Sequence, residues 1–509
     1  MTSRDGYQWT DASGLVRGVP SIGVIEPASN INDHNKLYDV IVVGGGYCGL
    51  TAARDLALSG LSVCLLEGRD RIGGRSWSTN IEGYPFEMGG TWVSWGQPHV
   101  WREISRYDMR DQLECSYDFS QGVNHFSLGS QGGRRTMSHD EAVCSYFSAL
   151  NQSWSDEKQD RLITGAALKF VNVDGEYGKT IMPQPHHEFF NPAVKKFDKL
   201  SVADRIEQIK DDLSPDELTA LQAFILLSSC AKPEESSFYE FLHWWALCNH
   251  DYAYCIEYLI KYKFRGGQSS FAIKFFEEAL SMNRLSYAFN SPVAKISDRD
   301  SHVEVSTRSG QKYKASKVVS TIPLNVLNDI SFDPPLEPGK QDAARVGHVN
   351  MCAKVHAECR NPELRSWGGV RYPENKLMYA IADGTTPAGN THIVAFGANH
   401  NPLKPEQDIE QTKRAVTGLV PAHIERLVFH NWVDDEFAKG AWFYPAPGFV
   451  TERLDDLRKR QGNILFANSD WAVGWRSFID GAIEEGARAA KGVFDDLRKN
   501  SVQPKGSRL

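Results

Sequence analysis

The pattern of apolar and polar residues is clearest at residues 38–67. An unbroken apolar run, VIVV, ends in glycines; a segment of helical spacing follows, and a second apolar run ends at Glu67. Strand, glycine turn, helix and strand in this order predict a parallel βαβ unit. The unit indicates an α/β fold with a nucleotide-binding domain.

The rest of the chain contains segments with a recognisable helix or strand pattern and segments of mixed composition. Residues 1–37 are rich in Gly, Pro, Asn and Asp without periodicity, and we interpret them as an irregular arm. Further elements are a helix at 268–283, a β-meander at 292–321, a buried strand at 462–466 and a helix at 481–498. Residues 116–267 are mixed and largely helical, and residues 331–430 contain strand-like segments separated by Pro and Asn turns.

The order of these segments predicts how the domains are assembled. A chain of 509 residues is too long for one hydrophobic core, so we expect two domains. Pieces typical of nucleotide binding come first, in the middle and last. We therefore predict a discontinuous Rossmann-like domain of residues 1–115, 268–330 and 431–509, with an α+β substrate domain of residues 116–267 and 331–430.

Composition narrows the classes of partner. The net charge of −8 disfavours nucleic acid and anionic membranes, both of which attract basic surfaces. The longest apolar runs, such as Phe224–Leu227, are too short to span a bilayer, and the N-terminus has no secretory signal pattern. Nine scattered cysteines suggest reduced thiols and an intracellular location. The last residues, Ser507-Arg508-Leu509, are similar to the peroxisomal Ser-Lys-Leu signal.

The glycine turn has the spacing of a dinucleotide-binding loop. Gly44 permits the tight turn, Gly46 lets the backbone approach a pyrophosphate, and Gly49 lets the helix pack on the strand. Glu67 ends the second strand, where an acid binds the ribose 2′-hydroxyl and repels the 2′-phosphate of NADP. The loop alone fits nicotinamide and flavin dinucleotides equally well.

Two more glycine pairs follow the ribose acid. Residues 67–75 read EGRDRIGGR, and Arg75 has the planar fork that pairs with a pyrophosphate. Residues 87–92 read EMGGTW, whose glycines permit close approach of the backbone to a flat ligand.

These motifs resemble the flavin-containing amine oxidase family. The pattern E-x-R-x-R-x-G-G-R followed by M-G-G-T-W resembles its first FAD segment, and FANSDWAVGWRSFIDGAIEEGARAA (466–490) is similar to its second. The resemblance runs from Tyr38 to Val493 and is greatest to soluble fungal monoamine oxidases. It implies the two-domain (GR2-type) fold of that family, FAD as cofactor, an adenine contact by the Val293 backbone and a ribityl or phosphate contact by Asp470. The implied cofactor residues are Gly44, Gly46, Gly49, Glu67, Arg69, Gly74, Arg75, Gly90, Thr91, Trp92, Val293, Asp470 and Ile479.

The resemblance also implies a substrate site. Trp442 and Phe478 match the family's two aromatic walls in front of the flavin, where rings attract an amine by cation–π contact. Membrane-bound animal relatives have a flavin-linking cysteine where this chain has Ala441, which implies non-covalent FAD. Lys354 matches the lysine that holds a water against flavin N5, although its alternating pattern alone favours a solvated polar strand face. The implied cavity residues are Phe224, Leu227, Ile256, Ile260 and Asn350.

The implied reaction is oxidation of a simple primary amine by O2. Hydride transfer to flavin N5 would give an imine that hydrolyses to aldehyde and ammonia, with H2O2 formed on reoxidation. Peroxide formation favours the peroxisome, reached through its import receptor, over the cytoplasm. The alternatives are a polyamine oxidase with an acidic cavity, an amino-acid oxidase with an arginine clamp, and a non-catalytic binding protein of the same fold. No metal-ligand spacing occurs, and the preferred amine and any homo-oligomer stay open.

Overall fold

The βαβ unit forms at the centre of a large sheet. The computed structural model describes residues 1–118, 121–122, 124–130, 133–142 and 161–502. Its strands are β1 (Tyr7–Thr10), β2 (Gly14–Arg17), β3 (Leu37–Val43), β4 (Val63–Leu66), β5 (Ser78–Ile81), β6 (Tyr84–Glu87), β7 (Leu113–Cys115), β8 (His125–Ser130), β9 (Gly133–Ser138), β10 (Tyr262–Phe264), β11 (Leu285–Ala288), β12 (Val293–Asp298), β13 (Val303–Thr307), β14 (Lys312–Ser320), β15 (Ser331–Asp333), β16 (Ala353–Cys359), β17 (Gly368–Arg371), β18 (Tyr379–Thr385), β19 (Thr391–Gly397), β20 (Ile424–Phe429) and β21 (Ile464–Phe466).

Helices cover the faces of the sheets. Those within the described ranges are α1 (Tyr47–Leu58), α2 (Pro98–Arg106), α3 (His139–Ala142), α4 (Leu162–Val171), α5 (Val202–Ile209), α6 (Pro215–Ser229), α7 (Phe238–Leu247), α8 (Tyr252–Leu259), α9 (Gln268–Ser281), α10 (Pro338–Val346), α11 (Ile409–Leu419), α12 (Phe449–Arg458) and α13 (Ile479–Val502). None of these helices combines the length and apolarity needed to cross a membrane.

The first large sheet is built around β3. Its strand order is β11-β4-β3-β14-β13-β12-β15, and β21 also pairs with β14. Val40, Ile41 and Val42 have no exposed surface, as expected for a parallel strand covered on both faces. Helix α1 packs against α9 and α13, so first, middle and last segments of the chain share this domain, and the predicted fold class is confirmed.

The second large sheet contains most of the strands in the segments that the sequence analysis assigns to the substrate domain, and we call it the substrate-side sheet. Its order is β2-β1-β20-β16-β19-β18-β17-β8-β9, and helices α4 to α8 come from the chain between β9 and β10. Strand β16 holds Lys354 in the middle of this sheet.

The structure differs from the sequence prediction in two places. Residues 7–17 are not part of an irregular arm, because they form a β-hairpin whose strand β1 pairs with β20 of the second sheet. The first strand reads YQWT, an alternation of aromatic and polar residues that the sequence analysis missed because it is only four residues long. Strand β15 (Ser331–Asp333) pairs with β12, so the first large sheet includes residues past 330, the boundary that the sequence predicts. The remaining domain boundaries stay predictions.

Candidate active site

The glycine loop and the N-terminus of α1 form one end of a long cavity. Gly44 has a φ of +111°, and a Cβ on Gly49 would lie 1.9 Å from the Gly44 carbonyl oxygen, so the turn and the strand–helix contact both require glycine. No side chain caps α1, and its first turn contains no acid. The free N–H groups and the positive end of the helix dipole suit a phosphate.

Glu67 and Arg69 border the cavity beside this loop. One carboxylate oxygen of Glu67 accepts a hydrogen bond from the Gly45 N–H at 2.5 Å, and the other accepts from the Arg69 N–H at 2.8 Å. These bonds fix the carboxylate at the end of β4, where dinucleotide-binding folds place the acid that binds the adenosine ribose. Val293 borders the same part of the cavity.

Arg75 joins the first cofactor segment to the last. Its Nη2 lies 2.5 Å from Oδ1 of Asp470, and its Nη1 donates to the Ala441 carbonyl at 3.0 Å. Asp470 is fully buried, its other oxygen accepts from the Leu324 N–H at 3.0 Å, and it does not border the cavity. The structure therefore places Asp470 behind Arg75, whereas the sequence predicts a direct contact with the cofactor. Asn468 and Ser469 border the cavity instead, and the sequence analysis missed them although they belong to the same FANSD motif.

Lys354 faces the second glycine pair. Its ammonium donates to the carbonyl oxygens of Glu87 (2.8 Å) and Gly89 (2.6 Å) and to the Thr91 hydroxyl (2.6 Å). Burial lowers the pKa of Lys354 to about 8, and burial raises the pKa of Glu87 to about 8. All three N–H groups of the ammonium have protein acceptors, so the predicted water-holding role requires one of these bonds to open. Gly90, Trp92 and Gly74 also border this stretch of the cavity.

Trp442 and Phe478 both border the far end of the cavity. The indole of Trp442 donates to the Ser228 carbonyl at 2.7 Å, and the ring of Phe478 lies 4.8 Å from that of Trp244. Between them, Ser477 has a φ of +80° and donates its hydroxyl to the Phe443 carbonyl. Ile479 begins α13 directly after Phe478 and also borders the cavity, so the N-terminus of this helix is directed at the site.

Helices α6 and α8 line the substrate side. A capping box of Ser214 and Glu217 fixes the start of α6. Phe224 and Leu227 of α6, and Ile256 and Ile260 at α8, border the cavity, whereas Asn350 does not. The side-chain oxygen of Asn350 turns back to the Cys352 N–H at 3.1 Å, which a strand-face pattern does not reveal. The sequence analysis missed several lining residues, Phe241, Trp244, Trp245, Tyr379, Phe396 and Trp432, because buried aromatics carry no distinguishing motif.

Few charged side chains border the cavity. Among the described residues, the charged side chains that border the cavity are Glu67, Arg69, Arg75, Arg308 and Lys354. The first four belong to the segments around the glycine loop and β12–β13, and only Lys354 lies on the substrate-side sheet. The space between α6, α8 and the two aromatic rings is therefore lined by uncharged side chains.

A buried ion cluster lies behind the Phe478 segment. Arg476 is fully buried, and its Nη2 lies 2.6 Å from Glu240 and 3.2 Å from Glu188. Glu240 belongs to α7, which also carries Trp244. The sequence analysis missed this cluster because its members are far apart in the chain.

The cavity suits an extended dinucleotide with a flat ring system. It has a volume of about 320 Å³ and runs continuously from Glu67 and Val293 past Arg75 to Trp442. A Cβ on Gly74 would lie 3.1 Å from the Cα of Gly46, so two backbone segments meet at the phosphate end without side chains between them. Among the described residues, no group of three or more His, Cys, Asp or Glu could hold a metal ion.

Comparison with known proteins gives matches that extend over most of the chain. The family model described as flavin containing amine oxidoreductase matches residues 47–494. Pseudooxynicotine dehydrogenase of Pseudomonas sp is 29% identical, over 97% of this chain and 93% of its own length, and a probable flavin-containing monoamine oxidase A of Dictyostelium discoideum is 25% identical, over 92% and 100%. A solved putrescine oxidase variant, redesigned in its cofactor binding, superposes with a TM-score of 0.73 at 20% identity, over 90% of this chain and 99% of its own.

Proposed function

Because the chain belongs to the family of flavin-containing amine oxidoreductases, an enzyme family that acts on amines, we propose that it is an FAD-dependent monoamine oxidase. Its substrates are simple primary amines, aliphatic or arylalkyl, and its electron acceptor is O2. The products are the aldehyde, ammonia and H2O2.

The cofactor of this proposal is FAD held without a covalent bond. Three observations support this proposal. Glu67 borders the cavity at the end of β4, where an acid can bind a ribose, and the start of α1 is uncapped and can bind phosphate. Arg75, whose guanidinium can pair with a phosphate, borders the same cavity. Ala441 borders the cavity and offers no atom for a covalent link at the position where membrane-bound relatives use cysteine.

The uncharged lining of the substrate side favours a monoamine over a polyamine or an amino acid as substrate. A polyamine needs a carboxylate for its second ammonium group, and an amino acid needs an arginine for its carboxylate. Among the described residues on this side of the cavity, neither an acid nor an arginine is present. Phe224, Ile256 and Ile260 instead offer apolar surface, which suits the alkyl or aryl group of a monoamine.

The residues of the chain bind and orient the amine. Bound FAD supplies the acceptor for the hydride that leaves the amine α-carbon. Trp442 and Phe478 attract the amine through their ring faces, worth about 0.5–2 kcal/mol, and exclude water from the reacting atoms. The ammonium of Lys354 fixes the Glu87–Thr91 segment through its three hydrogen bonds and places positive charge beside the ring site.

Two measurements test this proposal. Acid denaturation of the purified protein should release FAD, identified by chromatography, and leave no flavin on the polypeptide. A peroxide-coupled assay on butylamine, benzylamine, spermidine and leucine, repeated with an artificial electron acceptor under nitrogen, should show turnover of the first two amines in air.

Each alternative function has its own outcome in these assays. Turnover of spermidine or leucine alone would refute the monoamine assignment. Turnover only with the artificial acceptor would make the enzyme a dehydrogenase. A colourless protein that releases no flavin would indicate the non-catalytic binding protein.

A peroxisomal location completes the proposal. Ser507-Arg508-Leu509 lies outside the described residues, so the support is the sequence and the proposed formation of peroxide. A fluorescent protein fused to the N-terminus should enter peroxisomes, and deletion of these three residues should leave it in the cytoplasm.

A further inference from the structure

The first residues of the chain cross from one large sheet to the other. We call residues 1–6 the N-terminal strap. Ser3 donates its hydroxyl to Asp70 at 2.9 Å, and the Arg4 N–H donates to the same carboxylate at 2.8 Å. Strand β1 follows at once and pairs with β20 of the substrate-side sheet. The strap is therefore fixed to the cofactor segment at one end and to the second sheet at the other.

Asp5 inserts its carboxylate between two arginines of the cofactor motif. Its Oδ2 accepts hydrogen bonds from Arg69 Nη1 at 2.9 Å and from Arg71 Nε at 3.0 Å. Burial raises the pKa of Asp5, but Arg71 and Arg69 lower it more, so the carboxyl group stays ionised below its usual range.

The two arginines depend on this carboxylate. Arg71 is fully buried, and Asp5 is the one carboxylate within ion-pair distance of it among the described residues. Arg69 has a second partner, Asp435, at 2.6 Å. Without Asp5, two guanidinium groups would share a buried space with one carboxylate between them, and their repulsion would displace Arg69.

Arg69 is the member of this cluster that borders the cavity. It lies beside Glu67, whose carboxylate holds the Arg69 N–H, and against the ring of Phe437 at 5.2 Å. This is the adenosine end of the cavity, because the acid that ends the second strand of a dinucleotide-binding unit binds the adenosine ribose.

We propose that Asp5 is a positioning residue for the adenosine half of FAD: it reaches from the N-terminal strap to hold the Arg69 guanidinium against the cavity. The inference rests on FAD as the cofactor of the proposed function, and it is independent of which amine is oxidised. Because Asp5 contacts Arg69 at the adenosine end, its loss should weaken binding of FAD more than binding of FMN, which lacks the adenosine.

Flavin binding to the apoprotein tests the proposal without any amine. Apoprotein is titrated into FAD and, separately, FMN, and the quenching of flavin fluorescence gives each Kd. Asp5→Asn should raise the Kd for FAD by about tenfold, the loss typical of one charge-assisted hydrogen bond, and should leave the Kd for FMN within about twofold. Asp11→Asn, in the exposed turn of the same hairpin, is the matched control and should change neither value.

Two further variants separate positioning from a general loss of structure. In an Arg69→Ala background, Asp5→Asn should not weaken FAD binding further, because both changes remove the same contact. Asp70→Ala releases Ser3 and Arg4 but leaves the Asp5–Arg69 charges in place, and it should give a smaller loss that is again specific to FAD. Equal losses for FAD and FMN, an unchanged Kd for FAD in Asp5→Asn, or a wild-type apoprotein that does not bind FAD would overturn the proposal. A wild-type protein that binds FAD but does not oxidise monoamines would instead refute the proposed function alone.

Discussion

Replacing Arg476 with methionine tests whether the buried ion cluster behind Phe478 stabilises the fold. The guanidinium lies between the carboxylates of Glu240 and Glu188 and donates to the His243 ring at 3.4 Å. Arg476 and Glu240 have no exposed surface. Methionine fills similar volume but leaves two buried carboxylates facing each other without a cation.

The expected loss follows from burial. Breaking a buried ion pair by removing one partner costs about 3–5 kcal/mol, whereas an exposed pair contributes about 0.2–1 kcal/mol. Unfolding entropy near 2.1 cal/mol/K per residue gives about 1.1 kcal/mol/K for 509 residues. The Tm should therefore fall by about 3–5 °C for Arg476→Met, if the chain unfolds as one unit.

The matched control is an ion pair of similar bond length at the surface. Lys491 lies 2.5 Å from Asp495, and their side chains are 75% and 45% exposed. Lys491→Met should lower the Tm by less than about 1 °C. Both variants are measured by scanning calorimetry at one protein and flavin concentration, because bound cofactor also raises the Tm.

The pH dependence adds a second criterion. Burial raises the pKa of Glu188, but Arg476 lowers it more, so in the wild type the pair stabilises the fold above the ordinary carboxyl pKa and is lost on acidification. In Arg476→Met the pKa of the Glu188 carboxyl rises, so the folded state binds a proton that the unfolded state releases. The deficit in Tm should therefore be larger at pH 8 than at pH 5.5. An equal Tm for the two methionine variants, or a deficit that grows on acidification, would refute the reasoning.

Three further predictions concern the site itself. Trp442→Ala should lower amine turnover by about tenfold or more while FAD stays bound, because the space between the two aromatic rings opens but the phosphate end of the cavity is intact. The control is Trp95→Ala, which changes an exposed ring outside the cavity. Equal activity of the two variants would remove Trp442 from the site. Burial raises the pKa of Asp480 from 3.8 to about 7, so the folded state keeps a proton that the unfolded state loses, and the stability of the wild type should fall between pH 4 and pH 7. Asp480→Asn should flatten this slope and be more stable than the wild type at pH 8, by up to roughly 4 kcal/mol. Parallel curves of Tm against pH for the two proteins would contradict this prediction. Ser477→Ala and Ser477→Gly both remove the hydroxyl that is bound to the Phe443 carbonyl, but glycine also relieves the backbone strain of a φ of +80°. In urea unfolding, the glycine variant should therefore be more stable than the alanine variant by about 1 kcal/mol. A less stable glycine variant would show that the backbone is unstrained.

Contiguous motifs made the cofactor side predictable from the sequence. The spacing of Gly44, Gly46 and Gly49 is set by backbone sterics, which act between neighbours in the chain. The burial of β3 is likewise predictable from its own apolar run. These features need no knowledge of distant residues, and the fold class followed from them together with the family resemblance.

Features that depend on distant residues were not predictable in the same way. The motif predicts that Asp470 contacts the cofactor. In the structure Asp470 instead pairs with Arg75, which is 395 residues away in the chain and lies between Asp470 and the cavity. Asn350 shares the alternating pattern of Lys354, but a local hydrogen bond to Cys352 turns it from the cavity. The first strand of the N-terminal hairpin alternates aromatic and polar residues over only four positions, and its partner β20 is distant in the chain.

The pairing of β1 with β20 constrains the order of events at the ribosome. Phe429 is made roughly 420 residues after its partner Tyr7. At about 5–20 residues per second, the early strand emerges some 20–80 s before its partner exists. Pairing of β1 with β20 is therefore a late step of biogenesis, and until it occurs the backbone edge of β1 that faces β20 has no strand partner.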